Sequence, residues 1–195
     1  MRSYVGSGVG PYVIEKILRA ERRVLVCCPY ISREYADNLV ELSKRGVQVW
    51  VLTSDWKGIF RIFERGKIVR ERDFTKSIVL AVLPMLVSSA IVFNVQSALL
   101  GLAVGIGLAY KYGVKFYENT NLKVKVLRRT DSGEFIHAKI YVIDDEYAVT
   151  GSANLTYEGM WKNTEHITVY ETAEEVMRVK SDFIHLWTQV RETVF

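Results

Sequence analysis

Ile136-His137-Ala138-Lys139-Ile140-Tyr141-Val142-Ile143-Asp144, followed by Gly151-Ser152-Ala153-Asn154, is the stretch that decides how this chain is read. The pattern is H-x-K-x4-D-x6-G-S-x-N, and an acid, Glu165, follows within Lys162-Asn163-Thr164-Glu165-His166. Phe135-Ile136 before the pair and Ile140 to Ile143 after it have strand composition. Side chains on a strand repeat every second residue, so His137 and Lys139 are expected on one face. An imidazole beside an ammonium group suits attack on a phosphate. The ring acts as nucleophile or proton donor, and the lysine offsets phosphate charge. Ser152 and Asn154 share a parity just past a second strand-like run, Tyr147 to Thr150, and are candidates to hold the same phosphate oxygens. Asp144 lies an odd number of positions beyond His137, so a regular strand turns it away from the site. It reads as a charge partner or turn-former, with Asp145 and Glu146 completing the turn.

Around this stretch the chain alternates helical and strand patterns. Gly10-Pro11 opens a helix with Val13, Ile14, Ile17 and Leu18 on one side. Val24 to Tyr30 is a short apolar run, the mark of a buried strand. Ser32 is placed to cap a second helix carrying Ala36, Leu39, Val40 and Leu42 inward, ended by Gly46. Val47 to Thr53 reads as the next strand, His166 to Tyr170 as a later one, and Ala173 to Val190 as an amphipathic helix. This order predicts an α/β sheet with parallel strands. Gly6-Ser7-Gly8-Val9-Gly10 lacks both a preceding strand and a following lysine. It reads as a flexible lead rather than a phosphate loop.

The motif and its Gly-Ser-x-Asn extension resemble the signature of the phospholipase D superfamily, strongly over about residues 121–192 and weakly over 10–55. The resemblance implies a phospholipase D-like α/β sandwich with a mixed, largely parallel central sheet. By the same resemblance His137 attacks phosphorus or protonates the leaving alkoxide. Lys139, Ser152 and Asn154 hold the non-bridging oxygens, and Glu165 orients the imidazole. Gly151 and Asp144 belong to the motif structurally, and neither a metal nor another cofactor is implied. The family's double displacement uses two histidines. Neither His166 nor His185 has a lysine two residues on, so the expectation is a homodimer in which two copies of His137 and Lys139 share one cleft. Short single-motif members of the superfamily resemble nucleases. The expected function is therefore a nuclease-like phosphodiesterase working through a phosphohistidine. A phospholipase D or phosphatidyl-transfer enzyme is the second reading, and a non-catalytic scaffold binding nucleic acid or lipid is the third.

Ser77 to Tyr110, 34 residues, contains no charged side chain. One helix of that length would reach roughly 51 Å, well past a hydrocarbon core of about 30 Å. Its most polar point, Asn94-Val95-Gln96-Ser97, is central, so two helices near 78–93 and 97–110 are expected as a transmembrane or re-entrant hairpin, with Pro84 kinking the first arm and Gly101 and Gly105 permitting close packing. The chain thus divides into residues 1–76 and 111–195, two halves of one domain, and the hairpin 77–110. Seven Lys or Arg from Lys57 to Lys76 and six from Lys111 to Arg129 flank it, which favours a cytoplasmic location for both ends. Lys57 to Lys76 itself alternates apolar and basic residues and reads equally as an amphipathic helix on anionic headgroups or as a domain helix with a solvated basic face.

A net charge of +4 and a sequence pI near 9.0 favour a polyanionic surface or substrate. Lys123, Lys125, Arg128, Arg129 and Lys162 are candidates to track a nucleic-acid backbone or anionic lipid. Cys27 and Cys28, adjacent on a strand, point to opposite faces and suit neither a disulfide nor a metal clamp. No cleavable signal pattern is visible at the N-terminus.

Overall fold

The computed structural model of the protein describes residues 1–54, 58–92, 95–127 and 136–190. Two compact units emerge, residues 1–67 with 119–195, and residues 68–118.

The first unit is built on a seven-stranded mixed sheet in the order β1-β9-β8-β7-β2-β3-β6. Its strands are β1 (Arg2–Gly6), β2 (Arg23–Cys27), β3 (Gln48–Ser54), β6 (Leu122–Leu127), β7 (Ile140–Ile143), β8 (Tyr147–Gly151) and β9 (Glu165–Tyr170). The mixed α/β architecture expected from the sequence is present. Parallel pairing runs through β2, β3 and β6, while β7, β8, β9 and β1 pair antiparallel. Strands before and after residues 68–118 therefore share one sheet.

Alternation sends the two faces of each strand into separate cores. Val24, Val26, Val49, Val51, Tyr141 and Ile143 pack with α1 (Gly10–Leu18), α2 (Arg33–Lys44) and α3 (Phe60–Gly66). Leu25, Cys27, Leu52, Ile140 and Val142 pack with Val176, Val179 and Phe183 of α6 (Ala173–Gln189). Cys27 and Cys28 lie in opposite cores, buried and unbridged, so desolvation pushes the Cys27 thiol up to about 12 and raises Cys28 as well. Thr172 caps α6, its hydroxyl accepting from the Glu175 amide.

Three expectations are corrected. Arg2–Gly6, preceding and overlapping the stretch read as a flexible lead, is a strand, because Arg2 to Gly6 can pair with the exposed edge of β9. Lys57 to Lys76 is not one amphipathic helix. Lys57 lies outside the described residues, α3 stops at Gly66, and β4 (Ile68–Arg72) pairs antiparallel with β5 (Val114–Glu118). The apolar side of α3, Ile62 and Phe63, is buried in the core rather than presented to lipid. Finally, β7 begins at Ile140, so His137 and Lys139 lie on the extended approach to the strand, and Phe135 lies outside the described residues.

The second unit consists of the β4–β5 ribbon with α4 (Phe74–Val92) and α5 (Val95–Tyr112), which pack along one another. A Cβ added at Gly101 would come within 2.5 Å of the Pro84 carbonyl oxygen, and one at Gly105 within 2.1 Å of the Ala81 carbonyl oxygen. Only glycine permits that approach. The Ser88 and Ser89 hydroxyls donate to Met85 and Leu86 carbonyls within α4, so neither needs an outside partner. Of the polar centre expected at Asn94, the residue itself lies outside the described ones.

Candidate active site

Four chain segments converge at one end of the sheet. They are the approach to β7, the loop after β8, the start of β9 and the segment after β2. The approach and the β8 loop are joined directly, since the Gly151 amide donates to the Lys139 carbonyl at 3.3 Å. The β8 loop and β9 are joined twice. Ser152 N–H donates to the His166 carbonyl at 2.9 Å, and His166 N–H donates to Ser152 Oγ at 3.0 Å. Gly151 is required there. Its φ is +155°, and a Cβ would meet the His166 carbonyl oxygen at 2.2 Å.

Lys139 is only 5% exposed, whereas His137 is exposed. The Lys139 ammonium donates to the His137 carbonyl at 2.8 Å and lies 3.3 Å from Nδ1 and 3.2 Å from Nε2 of the same ring. Burial lowers the Lys139 pKa from its ordinary value, and the nearby Cys28, Glu165 and Cys27 groups offset part of that fall. Ser152 donates its hydroxyl to Glu165, and Asn163 Nδ2 reaches the other Glu165 oxygen at 3.3 Å. Glu165 itself is buried. Ser152 and Asn163 thus both hold its carboxylate.

Asn154 Oδ1 sits 3.8 Å from Cys28 Sγ, and the Leu155 amide donates to that sulfur at 3.2 Å. Tyr141, fully buried, donates its hydroxyl to the Ala153 carbonyl at 2.8 Å. The Ser32 amide donates to the Leu155 carbonyl at 2.8 Å. The loop carrying Ser152 and Asn154 is thereby fixed from below by β2 and β7. Cys28, Tyr141 and Asn163 were not among the site residues expected from the sequence. The even spacing of Asn163 and Glu165 was the one available signal for Asn163.

Asp144 is at the other end of β7. Its carboxylate accepts from three successive backbone amides, Glu21 at 3.0 Å, Arg22 at 2.7 Å and Arg23 at 2.8 Å. Asp144 and Asp145 both have positive φ, 54° and 61°, and the Glu146 amide closes the turn onto Ile143 at 3.1 Å, which is a type I′ hairpin. Desolvation would raise the Asp144 pKa, yet the three amides and Arg22 outweigh it and hold the group below the usual aspartate range.

Three of the basic residues suggested for nucleic-acid tracking make contacts within the chain. Lys125 donates to the Trp187 and Val190 carbonyls, Lys123 lies over Trp50, and Lys162 lies over Tyr157. Arg128 and Arg129 lie outside the described residues. His185 pairs with Gln189 on the exposed side of α6 and takes no part in the site.

Residues 13–187 match the family described as cardiolipin synthase, PLD-like domain, which is most of the chain. The chain belongs to the phospholipase D-like family. No curated protein matches it. Among solved structures it is similar to the phospholipase D family member Nuc of Salmonella typhimurium, with a TM-score of 0.57 at 14% identity over 100% of this chain and 99% of that one. NucT of Helicobacter pylori gives 0.53 at 16% identity over 98% of each chain. Phosphatidylserine synthase of Haemophilus influenzae gives 0.51 at 16% identity, over 96% of this chain and 38% of that one. At such identities the likeness establishes the shared fold.

Proposed function

We propose that this phospholipase D-like protein is a membrane-tethered, nuclease-like phosphodiesterase that works through a phosphohistidine in a homodimeric active site. The observation carrying the proposal is the desolvated Lys139 ammonium held 3.2–3.3 Å from both nitrogens of the exposed His137 ring. A buried cation with few competing waters interacts strongly with an incoming phosphate. Asn154, fixed by the loop contacts, is a neutral donor for the remaining oxygens, and Ser152 joins it when its one hydroxyl hydrogen turns from Glu165 to the phosphate. Glu165 and Asn163 orient Ser152.

The chemistry then runs in two displacements. A ring nitrogen of His137 attacks phosphorus, the N–P bond forms and the P–O bond to the leaving group breaks. The departing alkoxide takes a proton from the imidazolium of the partner's His137. Water next attacks phosphorus while that imidazole accepts its proton, and the N–P bond breaks to free His137. One chain carries one such histidine, which is why a two-fold dimer completes the site.

The tether is supported by the second unit. Eighteen residues of α4, Phe74–Ile91, have a mean hydropathy of 1.8 and none is buried. On α5, Val95, Leu99, Leu100, Val104 and Ile106 are also exposed. At 19 and 18 residues the helices reach about 28 Å each, close to a hydrocarbon core of about 30 Å. The ribbon pairs Arg72 with Val114, so the chain enters and leaves the hairpin at one place, which requires an even number of crossings. At its foot Arg72 donates to the Ala109 carbonyl at 3.0 Å beside the exposed Tyr110, a basic and aromatic border of the kind found at headgroup level.

A phospholipid-directed phosphodiesterase or phosphatidyl transferase is the second reading, favoured by the same exposed hairpin, which would keep the enzyme at a lipid surface. The deciding assay offers purified protein labelled single-stranded DNA, duplex DNA, RNA and phospholipid in the presence of chelator. Nucleic-acid turnover that disappears in His137→Ala is the expected result. Turnover of phospholipid alone moves the assignment to the second reading, and turnover of nothing leaves a binding scaffold. Purified heterodimers of wild type and His137→Ala should be nearly inactive. Full activity in them would refute the shared site. Intact protein should stay with membranes after alkaline extraction, and its release would remove the tether.

A further inference from the structure

Arg33, Arg61 and Arg65 line a single open cavity of about 490 Å3, completed by Gly58, Ile62 and Glu64. All three arginines are exposed, and none forms an ion pair among the described residues. Arg61 and Arg65 stand one turn apart on α3, where Arg65 Nε donates to the Arg61 carbonyl at 3.2 Å. The wall therefore sets three guanidinium charges against the one carboxylate of Glu64.

Its place in the fold ties the cavity to the candidate active site. Arg33 begins α2, two residues after Ile31, which bridges to Leu155 directly beyond Asn154. The α3 helix follows the end of β3, which runs parallel beside β2, so Arg61 in its first turn lies toward the same end of the sheet, and Arg65 lines the cavity from one turn further along. The face is the same too. Ile136 and Ile140 pack toward α6, whereas Tyr141 packs toward α1–α3. His137 and Lys139, which alternate with Ile136 and Ile140, share the parity of Tyr141.

We infer that the Arg33–Arg61–Arg65 cavity holds backbone phosphates of a nucleic-acid strand on one side of the scissile bond, an inference that rests on the phosphodiesterase reading above. Cleaving one diester calls for no more buried cations than the Lys139 that each subunit brings to the shared site. A second cationic cluster at the same edge serves a substrate whose charge repeats. A nucleic-acid strand carries one negative charge about every 3.4 Å of helix rise, whereas a phospholipid diester presents its phosphate singly. Guanidinium forks match phosphate oxygens without reading bases, so binding is expected to be indifferent to sequence.

The test compares wild type with Arg61→Ala/Arg65→Ala on a 20-nucleotide single-stranded DNA and on bis(p-nitrophenyl) phosphate, which has one diester and no flanking charge. The expected result is a KM for DNA raised on the order of tenfold, with a shallower salt dependence, and unchanged turnover of the small diester. Arg61→Lys/Arg65→Lys should recover part of the loss. An unchanged KM for DNA overturns the assignment, and so does an equal loss on the small diester. A variant that binds DNA normally but loses binding to phosphatidylglycerol vesicles overturns it in favour of a membrane contact. If the wild type cleaves neither substrate, the catalytic reading has failed. Fluorescence anisotropy of labelled DNA on His137→Ala, with and without the arginine changes, then still decides whether these arginines bind a strand.

Discussion

The two ends of β7 carry parts of one sequence motif and are built on opposite electrostatic logic. At the start, Lys139 is a cation stripped of water, with its charge only partly offset by nearby groups. At the finish, Asp144 is an anion held by three amide donors from the chain entering β2. One end keeps a charge where it is costly, and the other keeps a charge where it is welcome. A charge maintained at a loss indicates chemistry, and a charge maintained at a gain indicates architecture. The spacing His137-x-Lys139-x4-Asp144 therefore joins two jobs about 17 Å apart along an extended chain.

Replacing Lys139 with methionine is the strongest way to break this contrast. It preserves volume and removes the charge. The rate of phosphodiester cleavage should fall about 10²–10³-fold, as when one transition-state donor is deleted. Stability should hold or rise, because an only partly compensated buried ammonium is replaced by an apolar chain. Steady-state kinetics with thermal melts on the same sample measure both. A variant that loses stability with its activity would mean that Lys139 is structural, and the contrast would vanish.

Asp144→Ala should show the reverse pattern. Three amides lose their acceptor and a type I′ turn loses a residue suited to positive φ, so stability should drop by about 1–2 kcal/mol. Activity per folded molecule should stay within about twofold of wild type, since four strand residues separate Asp144 from the site. Denaturant titration and active-site-normalised rates check the two halves. Asp144→Asn, which tolerates the turn, should recover part of the stability and so separate turn geometry from charge.

Much of this division was legible before any coordinates. The typed positions His137, Lys139, Ser152, Asn154 and Glu165 mark a local pattern, and the parity of Asp144 already turned it away from His137. The β4–β5 ribbon was not legible. Ile68-Val69 between basic residues fits a helical stripe as well as a strand, and only pairing with Val114–Glu118, on the far side of the hairpin, decides between them. β1 was hidden for the same reason, since its partner β9 lies more than 150 residues away. The arginine cavity escaped notice because Arg33 and Arg61 belong to separate helices, and nothing in the spacing brings them together. Patterns confined to one element can be read from the chain, whereas pairings across the sheet need the fold.

The smallest expected effect is a difference in pH dependence between the two ends. Asp144 has a depressed pKa in the folded state, so the unfolded chain binds its proton first as pH falls. Its contribution is present above the ordinary aspartate value of about 3.9 and fades as pH drops through the folded value. The gap in melting temperature between wild type and Asp144→Asn should therefore be widest near neutrality and narrow below about pH 4. Lys139 also has a depressed pKa, but for a base the consequence is reversed. The folded protein bears the cost of its charge below the folded pKa and is relieved of it between there and the ordinary lysine value of about 10.4. Wild type should gain on Lys139→Met in that alkaline window, and the two pairs of melting curves should converge at opposite ends of the pH scale. Parallel curves for either pair would show that the charge at that end contributes nothing to the balance between folded and unfolded chain.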